Sequence, residues 1–473
     1  MNIESFLIMR HELLLTAAAM LMLLAELLTA PKNKAGLRPF AVIVFLLVTI
    51  AGFLPATTGS IFGGMYVTSD LQILVKNFLN IGVFIILLQA HKWLKFEENS
   101  NKVGEFYILL MSTLIGMNFM ISSGDFLMFY IGLELATIPV ASLAAYDFYK
   151  ARSAEAGIKL LLSSALSSGI MLYGISMIYG TTGSIYFAEV MTKIGTEPLH
   201  VLAFIFFSAG MFFKISVVPF HLWTADVYEG APISVTSYLS VISKGAAAFI
   251  FMIILFTVFR PLISMWQDMI WVLAVLTMTI GNLFAMRQKN LKRFLAFSSI
   301  SQAGFLLLGI IGGNKLGMTS VVYYILVYIV SNLAAFTVVS SISNATGKEN
   351  MDDYDGLYLT NPNLSLTMML ALFSLAGIPP LAGFFGKFFL FTAAAEQGFY
   401  ILVLIAVLNA IISLYYYLLV IKAMFINKND NPIAKFKSDA ATRIGLILCL
   451  VGMAAIGFAS PIWEYIRLYT FGN

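Results

Sequence analysis

Glu134 sits near the middle of an apolar run at 125–146, within Gly132-Leu133-Glu134-Leu135. Lys214 lies five residues before Pro219 in a run at 200–223, and Lys244 about eleven residues into a run at 233–259. Lys387 ends the stretch Ile378-Pro379-Pro380-Leu381-Ala382-Gly383-Phe384-Phe385-Gly386-Lys387. A charge in the middle of a bilayer costs about 2.5–3.5 kcal/mol on insertion scales, so such residues mark ion pathways or relays. Burial disfavours the charged amine, and a nearby carboxylate restores it. Making or breaking a Glu134–Lys214 pair would then decide whether Lys214 keeps its proton. The chemistry these groups can do is proton transfer.

Other ionisable groups are read against plainer explanations. Lys159 is about five residues inside the end of a run at 155–180, and taken alone it reaches the interface by snorkelling. Lys292 belongs to a basic junction with Arg287, Lys289 and Arg293. His221 follows Pro219, where it is either a structural hydrogen-bonding group or a relay. Gly386-Lys387 is not a phosphate loop, because that motif needs glycine at 381 and Ser or Thr at 388, where the chain has Leu381 and Phe388. The four histidines are scattered without metal-ligand spacing, and Cys449 stands alone, so no metal site or internal disulfide is expected.

The elements that position these groups must be membrane helices. Of 473 residues, 60% are hydrophobic and 11% charged, with a mean hydropathy of +0.90. A soluble domain carries about 25% charged residues, so a soluble globular protein is excluded. A net charge of +4 gives no argument for nucleic acid. Runs long enough to span a bilayer lie near 11–30, 38–55, 71–91, 103–122, 125–146, 155–180, 200–223, 233–259, 266–286, 293–313, 317–345, 362–395, 399–425 and 441–466. The expected fold is therefore all-α, a single polytopic membrane domain of about fourteen helices. Glu12 and Glu26 flank the first run, which reads as a retained helix and not a leader.

Fifteen Lys and Arg fall on the side of the first loop and five on the other, which places both termini outside. Eight remain within or at the edges of spans. Among these, Lys76, Lys422 and Arg443 lie near span ends and can reach the interface.

Two spans are interrupted, 200–223 by Pro219 and 362–395 by Pro379-Pro380 with Gly377, Gly383 and Gly386. Broken helices are tolerated at membrane depth where they line a wet cavity or are buried in protein. The breaks fall in the seventh and twelfth spans. Three N-terminal helices (1–100), a five-helix unit (103–260), an inverted second unit (266–426) and a C-terminal helix (441–467) are thus expected, as in transporters built from inverted repeats. Each broken helix carries one lysine, and Lys244 would join the two half-routes.

The chain resembles the antiporter-like membrane subunits of respiratory complex I and Mrp-type cation/proton antiporters along essentially its whole length. The resemblance is carried by Gly132-Leu133-Glu134-Leu135 and by the run from Lys214 through Pro219-Phe220-His221-Leu222-Trp223-Thr224-Ala225-Asp226 to Pro232. Arg293 to Gly304 and Gly377 to Lys387 carry it further. It implies a gating pair of Glu134 and Lys214, a central relay at Lys244, an outlet at Lys387 and a functional Lys159. His221, Lys292 and Gln302 are possible relays. Gln302 departs from the family, which commonly has histidine there; an amide holds water but cannot carry the proton.

The function expected is proton translocation by a membrane subunit of an NADH:quinone oxidoreductase in a bacterial inner membrane. The chain itself would bind no cofactor. The resemblance implies NADH, FMN, iron–sulfur clusters and quinone in partner subunits, which include neighbouring antiporter-like subunits. The alternatives are an Mrp-type Na+/H+ antiporter subunit, a membrane subunit of a hydrogenase or formate lyase complex, and a structural spacer. The buried ionisable groups argue against the spacer.

Overall fold

Polar caps set where the helices start. Ser69 and Gln72 form a capping box, Asp125 accepts from the Met128 amide at 2.7 Å, and the Asn290 side chain accepts from the amides of Lys292 and Arg293. Gly183 and Gly347 end the two longest helices with φ of 70° and 72°, a left-handed conformation that glycine adopts freely. The computed structural model describes residues 6–458 and 460–471.

The membrane helices are α1 (Arg10–Leu28), α2 (Leu37–Gly52), α3 (Asp70–Trp93), α4 (Val103–Ile121), α5 (Phe126–Ala144), α6 (Ala151–Thr182) and α7 (Pro198–Ile215). A short helix α8 (Leu222–Gly230) leads to α9 (Ile233–Thr257), α10 (Ile263–Ala285), α11 (Leu291–Ile311) and α12 (Lys315–Thr346). Then come α13 (Pro362–Ala376), α14 (Ala382–Glu396), α15 (Tyr400–Phe425), α16 (Ala440–Phe458) and α17 (Ser460–Tyr469).

Among the described residues 13 helices are long and apolar enough to cross a membrane. The span at 362–395 is broken where its prolines and glycines lie: it is two helices of 15 residues each, α13 and α14, parted by Gly377 to Leu381. A small antiparallel hairpin, β1 (Gly59–Ile61) and β2 (Tyr66–Thr68), pairs Ile61 with Tyr66 and interrupts the otherwise all-helical chain.

Helices α9, α11 and α12 are buried all round, as a helix apolar on every face should be. In contrast, α1, α2 and α6 expose much of their apolar surface, with Leu28, Leu47 and Leu162 pointing outward. The chain is a multi-pass membrane protein, and its buried helices carry Lys244, Lys292, Gln302 and Asn332.

Candidate functional site

The first break is built by backbone geometry. Helix α7 ends in Ser216, whose φ of 67° turns the chain out of the helix. Loose polar groups there find partners: Trp223 Nε1 donates to the Phe213 carbonyl at 3.1 Å, the Val218 amide to Thr277 Oγ1 at 3.1 Å, and Thr224 Oγ1 to Ser216 Oγ at 2.8 Å. Lys214, in the last turn of α7, is buried, and its Nζ donates to Thr137 Oγ1 of α5 at 2.7 Å. Glu134 stands one turn before Thr137 on α5. No ion pair joins it to Lys214, and its buried Oε1 has no hydrogen-bond partner among the described residues. The two groups expected to pair are thus neighbours held apart, with Thr137 occupying the ammonium.

At the second break, Gly377 has a φ of 91°, and a Cβ there would stand 3.1 Å from Lys387 Cδ. Lys387 folds back across the gap, its Nζ donating to the Ala376 carbonyl at 3.1 Å and lying 4.4 Å from the centre of the Phe305 ring. The last carbonyls of α13 are freed by the break, so they are available to a cation.

Lys244 connects the halves. It is buried on α9 just after a π-helical segment, Tyr238–Ser243, and donates to Ser299 Oγ of α11 at 2.6 Å. π segments within helices recur at functional sites because they leave backbone groups loosely bonded. One turn along α11, Gln302 Nε2 donates to the Leu375 carbonyl at 3.1 Å and to the Tyr417 hydroxyl at 3.2 Å, while Tyr324 donates to Gln302 Oε1. Lys244, Ser299, Gln302, the carbonyls of Leu375 and Ala376, and Lys387 therefore form one polar series through the buried core. Beside it, Asn332 Nδ2 donates to Ser240 Oγ at 2.7 Å and to the Tyr328 hydroxyl at 2.8 Å.

The remaining sequence candidates stand outside this series. Lys292 is buried, donates to the Ala231 carbonyl at 2.9 Å and has Glu349 Oε1 at 3.9 Å. It borders a cavity of about 540 Å³ that Asp147, Lys150, Glu229 and Glu349 also line. His221 is buried, with Nδ1 unpartnered among the described residues. Lys159 is partly exposed and pairs with Glu155 at 2.6 Å and Asp226 at 2.8 Å. Arg293 joins the same cluster through Asp226 at 2.7 Å and Glu229 at 2.9 Å. The structure does not bring Lys159 into hydrogen-bond contact with Lys214, Lys244 or Lys387.

One reading is corrected. Lys76 does not snorkel: it is fully buried, donating to Glu12 Oε1 at 2.6 Å and Ser122 Oγ at 2.7 Å, with the Tyr66 hydroxyl at 3.1 Å. The hairpin lays Tyr66 over that end of the bundle and α1 brings in Glu12, so the expected path to the interface is closed. Lys422 and Arg443 are exposed as expected. The sequence reading also missed Asp226 and Glu229 as ion-pair partners. Their spacing of three residues on α8 is the signal that puts both on one helix face. Among the described residues no three His, Cys, Asp or Glu side chains converge to hold a metal.

Residues 123–413 match the family model described as NADH:quinone oxidoreductase/Mrp antiporter, TM. The chain is 53% identical over 465 residues to NADH-quinone oxidoreductase subunit N of Phocaeicola vulgatus, covering 98% of each, and 49% identical to that of Azobacteroides pseudotrichonymphae, covering 100% of this chain and 99% of the relative. A chain of respiratory complex I from Thermus thermophilus superposes with a TM-score of 0.80 at 27% identity, covering 94% of this chain and 96% of the other. A chain of the Mrp complex from a Dietzia species superposes with a TM-score of 0.85 at 20% identity, covering 99% and 96%, which shows the shared fold. The chain belongs to the NADH:quinone oxidoreductase/Mrp antiporter membrane family. Within that family it is an antiporter-like subunit most like subunit N of respiratory complex I.

Proposed function

We propose that this chain is a proton-translocating membrane subunit of a respiratory NADH:quinone oxidoreductase. The observation that carries this reading is the polar series from Lys244 through Ser299 and Gln302 to the freed carbonyls that hold Lys387. It crosses the buried core, where ionisable side chains cost about 2.5–3.5 kcal/mol each on insertion scales and mark ion pathways. Glu134 and Lys214 act as the switch, since the ammonium can shift between Thr137 and the unpartnered Oε1 of the carboxylate one turn away. Lys244 passes the proton on, and Lys387 delivers it at the second break. The cavity beside Lys292 supplies water and protons at the other end.

Electron transfer belongs to partner subunits, where NADH, FMN, iron–sulfur clusters and quinone reside, and its energy arrives through neighbouring subunits as a shift in charge or conformation along the polar axis. The two breaks belong to two inverted five-helix units, 103–260 and 266–426. The complex sits in a bacterial inner membrane, with both termini of this chain on the outer side. The high identity to subunit N relatives favours this assembly over an Mrp antiporter.

The test is Lys214→Ala in the assembled complex, reconstituted in vesicles and driven by NADH. Proton pumping should be abolished or strongly reduced in this variant. An unchanged ratio of protons moved per electron would sink the assignment.

A further inference from the structure

The cluster around Lys76 is not used by the route above, and its surroundings continue inward. Lys76 and Asn80 are one turn apart on α3, and Ser122 and Asn118 one turn apart at the end of α4. The two helices are consecutive spans joined by a short connection, so they run in opposite directions. The contact of Lys76 Nζ with Ser122 Oγ at 2.7 Å fixes their register. Asn80 and Asn118 therefore both lie one turn, about 6 Å, deeper than the ion pair. Both are fully buried, and neither carboxamide oxygen nor nitrogen has a hydrogen-bond partner among the described residues. Buried amides are rarely left unpaired, and ordered water is the usual partner of those that seem so.

Helix α4 packs on α9 at and below this level. Met117, next to Asn118, receives the Tyr238 hydroxyl at 3.6 Å, and Thr113 donates to that hydroxyl. Tyr238 opens the π segment that leads into Lys244. On α3, a Cβ at Gly82 would stand 2.5 Å from Ile242 Cδ1, and one at Gly245 would stand 3.8 Å from Leu79 Cδ2. Asn80 thus lies at the height of the Lys244 turn. Beyond the ion pair in the other direction, Gln72 and Ser123 line a cavity of about 780 Å³.

We propose that Asn118, Asn80 and the Lys76–Glu12–Tyr66 cluster form a second, water-filled proton route from the level of Lys244 to the face that carries the hairpin, with the ion pair as its terminal gate. A proton arriving by water adds to the Glu12 carboxylate, making the neutral acid and loosening its hold on Lys76. Loss of that proton to water in the cavity restores the carboxylate and the pair. The cluster has the parts for this: Tyr66 donates to Glu12 Oε2 at 2.7 Å while Lys76 holds Oε1 at 2.6 Å. A purely structural tie between α1 and α3 would not need two unpartnered amides behind it.

This proposal rests on the proton-translocating reading, so its test keeps the two separable. In the assembled complex in vesicles, Asn80→Leu with Asn118→Leu replaces the amides by apolar groups of similar size, and Asn80→Ser with Asn118→Ser keeps the path polar. Protons moved per electron should fall by half or more in the leucine pair and stay near wild type in the serine pair. A leucine pair that pumps like wild type, alongside Lys214→Ala that does not, overturns the route alone. Full pumping in Lys214→Ala removes the reading beneath it. Should the leucine pair fail to assemble, a density map of the wild-type complex that resolves water decides the matter: water between the two carboxamides is expected, and a dry contact overturns the route.

Discussion

Lys214 Nζ donates to Thr137 Oγ1 at 2.7 Å, one turn along α5 from Glu134, whose Oε1 is buried without a partner among the described residues. The hydroxyl gives the ammonium somewhere to stay when it leaves the carboxylate, so the switch has two built positions. Replacing Thr137 by valine keeps the volume and removes one of them, at about 1 kcal/mol for a lost hydrogen bond. Thr137→Val should shift Lys214 toward Glu134 by several-fold and lower proton pumping per electron less than Lys214→Ala does. Proton uptake by the reconstituted complex, normalised to NADH oxidised, measures this. A larger defect in the threonine variant than in the lysine variant would contradict the two-position switch.

Gln302 stands between Lys244 and Lys387 in the series. Its amide bridges Tyr324, Tyr417 and the Leu375 carbonyl, and a leucine would break all of these. Gln302→Leu is expected to cut pumping several-fold while the complex assembles. Gln302→His keeps the polarity and adds a group that can itself carry a proton, so it should pump at least as well as wild type. Equal pumping in the leucine and histidine variants would take Gln302 out of the path.

Gly383 holds the second break closed. A Cβ there would stand 1.6 Å from the Ser374 carbonyl oxygen, so α14 could not start where it does against the end of α13. Overpacking of this kind costs about 1–3 kcal/mol or more. Gly383→Ala should move Lys387 from the Ala376 carbonyl and reduce both the assembled fraction and the pumping of what assembles. Quantifying complex content in membranes beside pumping per electron separates the two effects. Wild-type values for both would show that the close approach is not needed.

How much of this can be read from the sequence depends on contrast. Glu134, Lys214, Lys244 and Lys387 stand out because a charge in an apolar run has few explanations, and prolines mark both breaks. The span at 362–395 counts as one interrupted span because hydropathy continues across Pro379-Pro380; the sequence marks the break, but not that the two pieces are separate helices of 15 residues each, α13 and α14. Lys76 shows the opposite failure. Its place six residues into α3 suggests the interface, and its partner Glu12 lies 64 residues away on another helix. The series through Ser299, Gln302, Tyr324 and Tyr417 is hidden for a related reason. Hydroxyls and amides are ordinary in membrane helices, and only packing shows that these meet. The Asp226–Arg293 pair, 67 residues apart, is likewise a fact of the fold.

The last prediction concerns stability. Asp439, just before α16, receives a hydrogen bond from Thr442 and faces His91 of α3 at 3.0 Å. Burial alone would raise its carboxyl, but the His91 and Thr442 hydrogen bonds outweigh this and hold it below the usual aspartate range. A carboxylate whose folded value is depressed stabilises the fold above its unfolded value, about 3.9, and loses that contribution as pH falls through the folded one. The pair is partly exposed, so its worth is about 1 kcal/mol or less. Asp439→Asn should therefore lower the unfolding midpoint of the detergent-solubilised complex slightly near pH 6, and the gap from wild type should close as the pH is taken below 4. A gap that widened in acid would mean that α16 is tied to α3 by something other than this carboxylate.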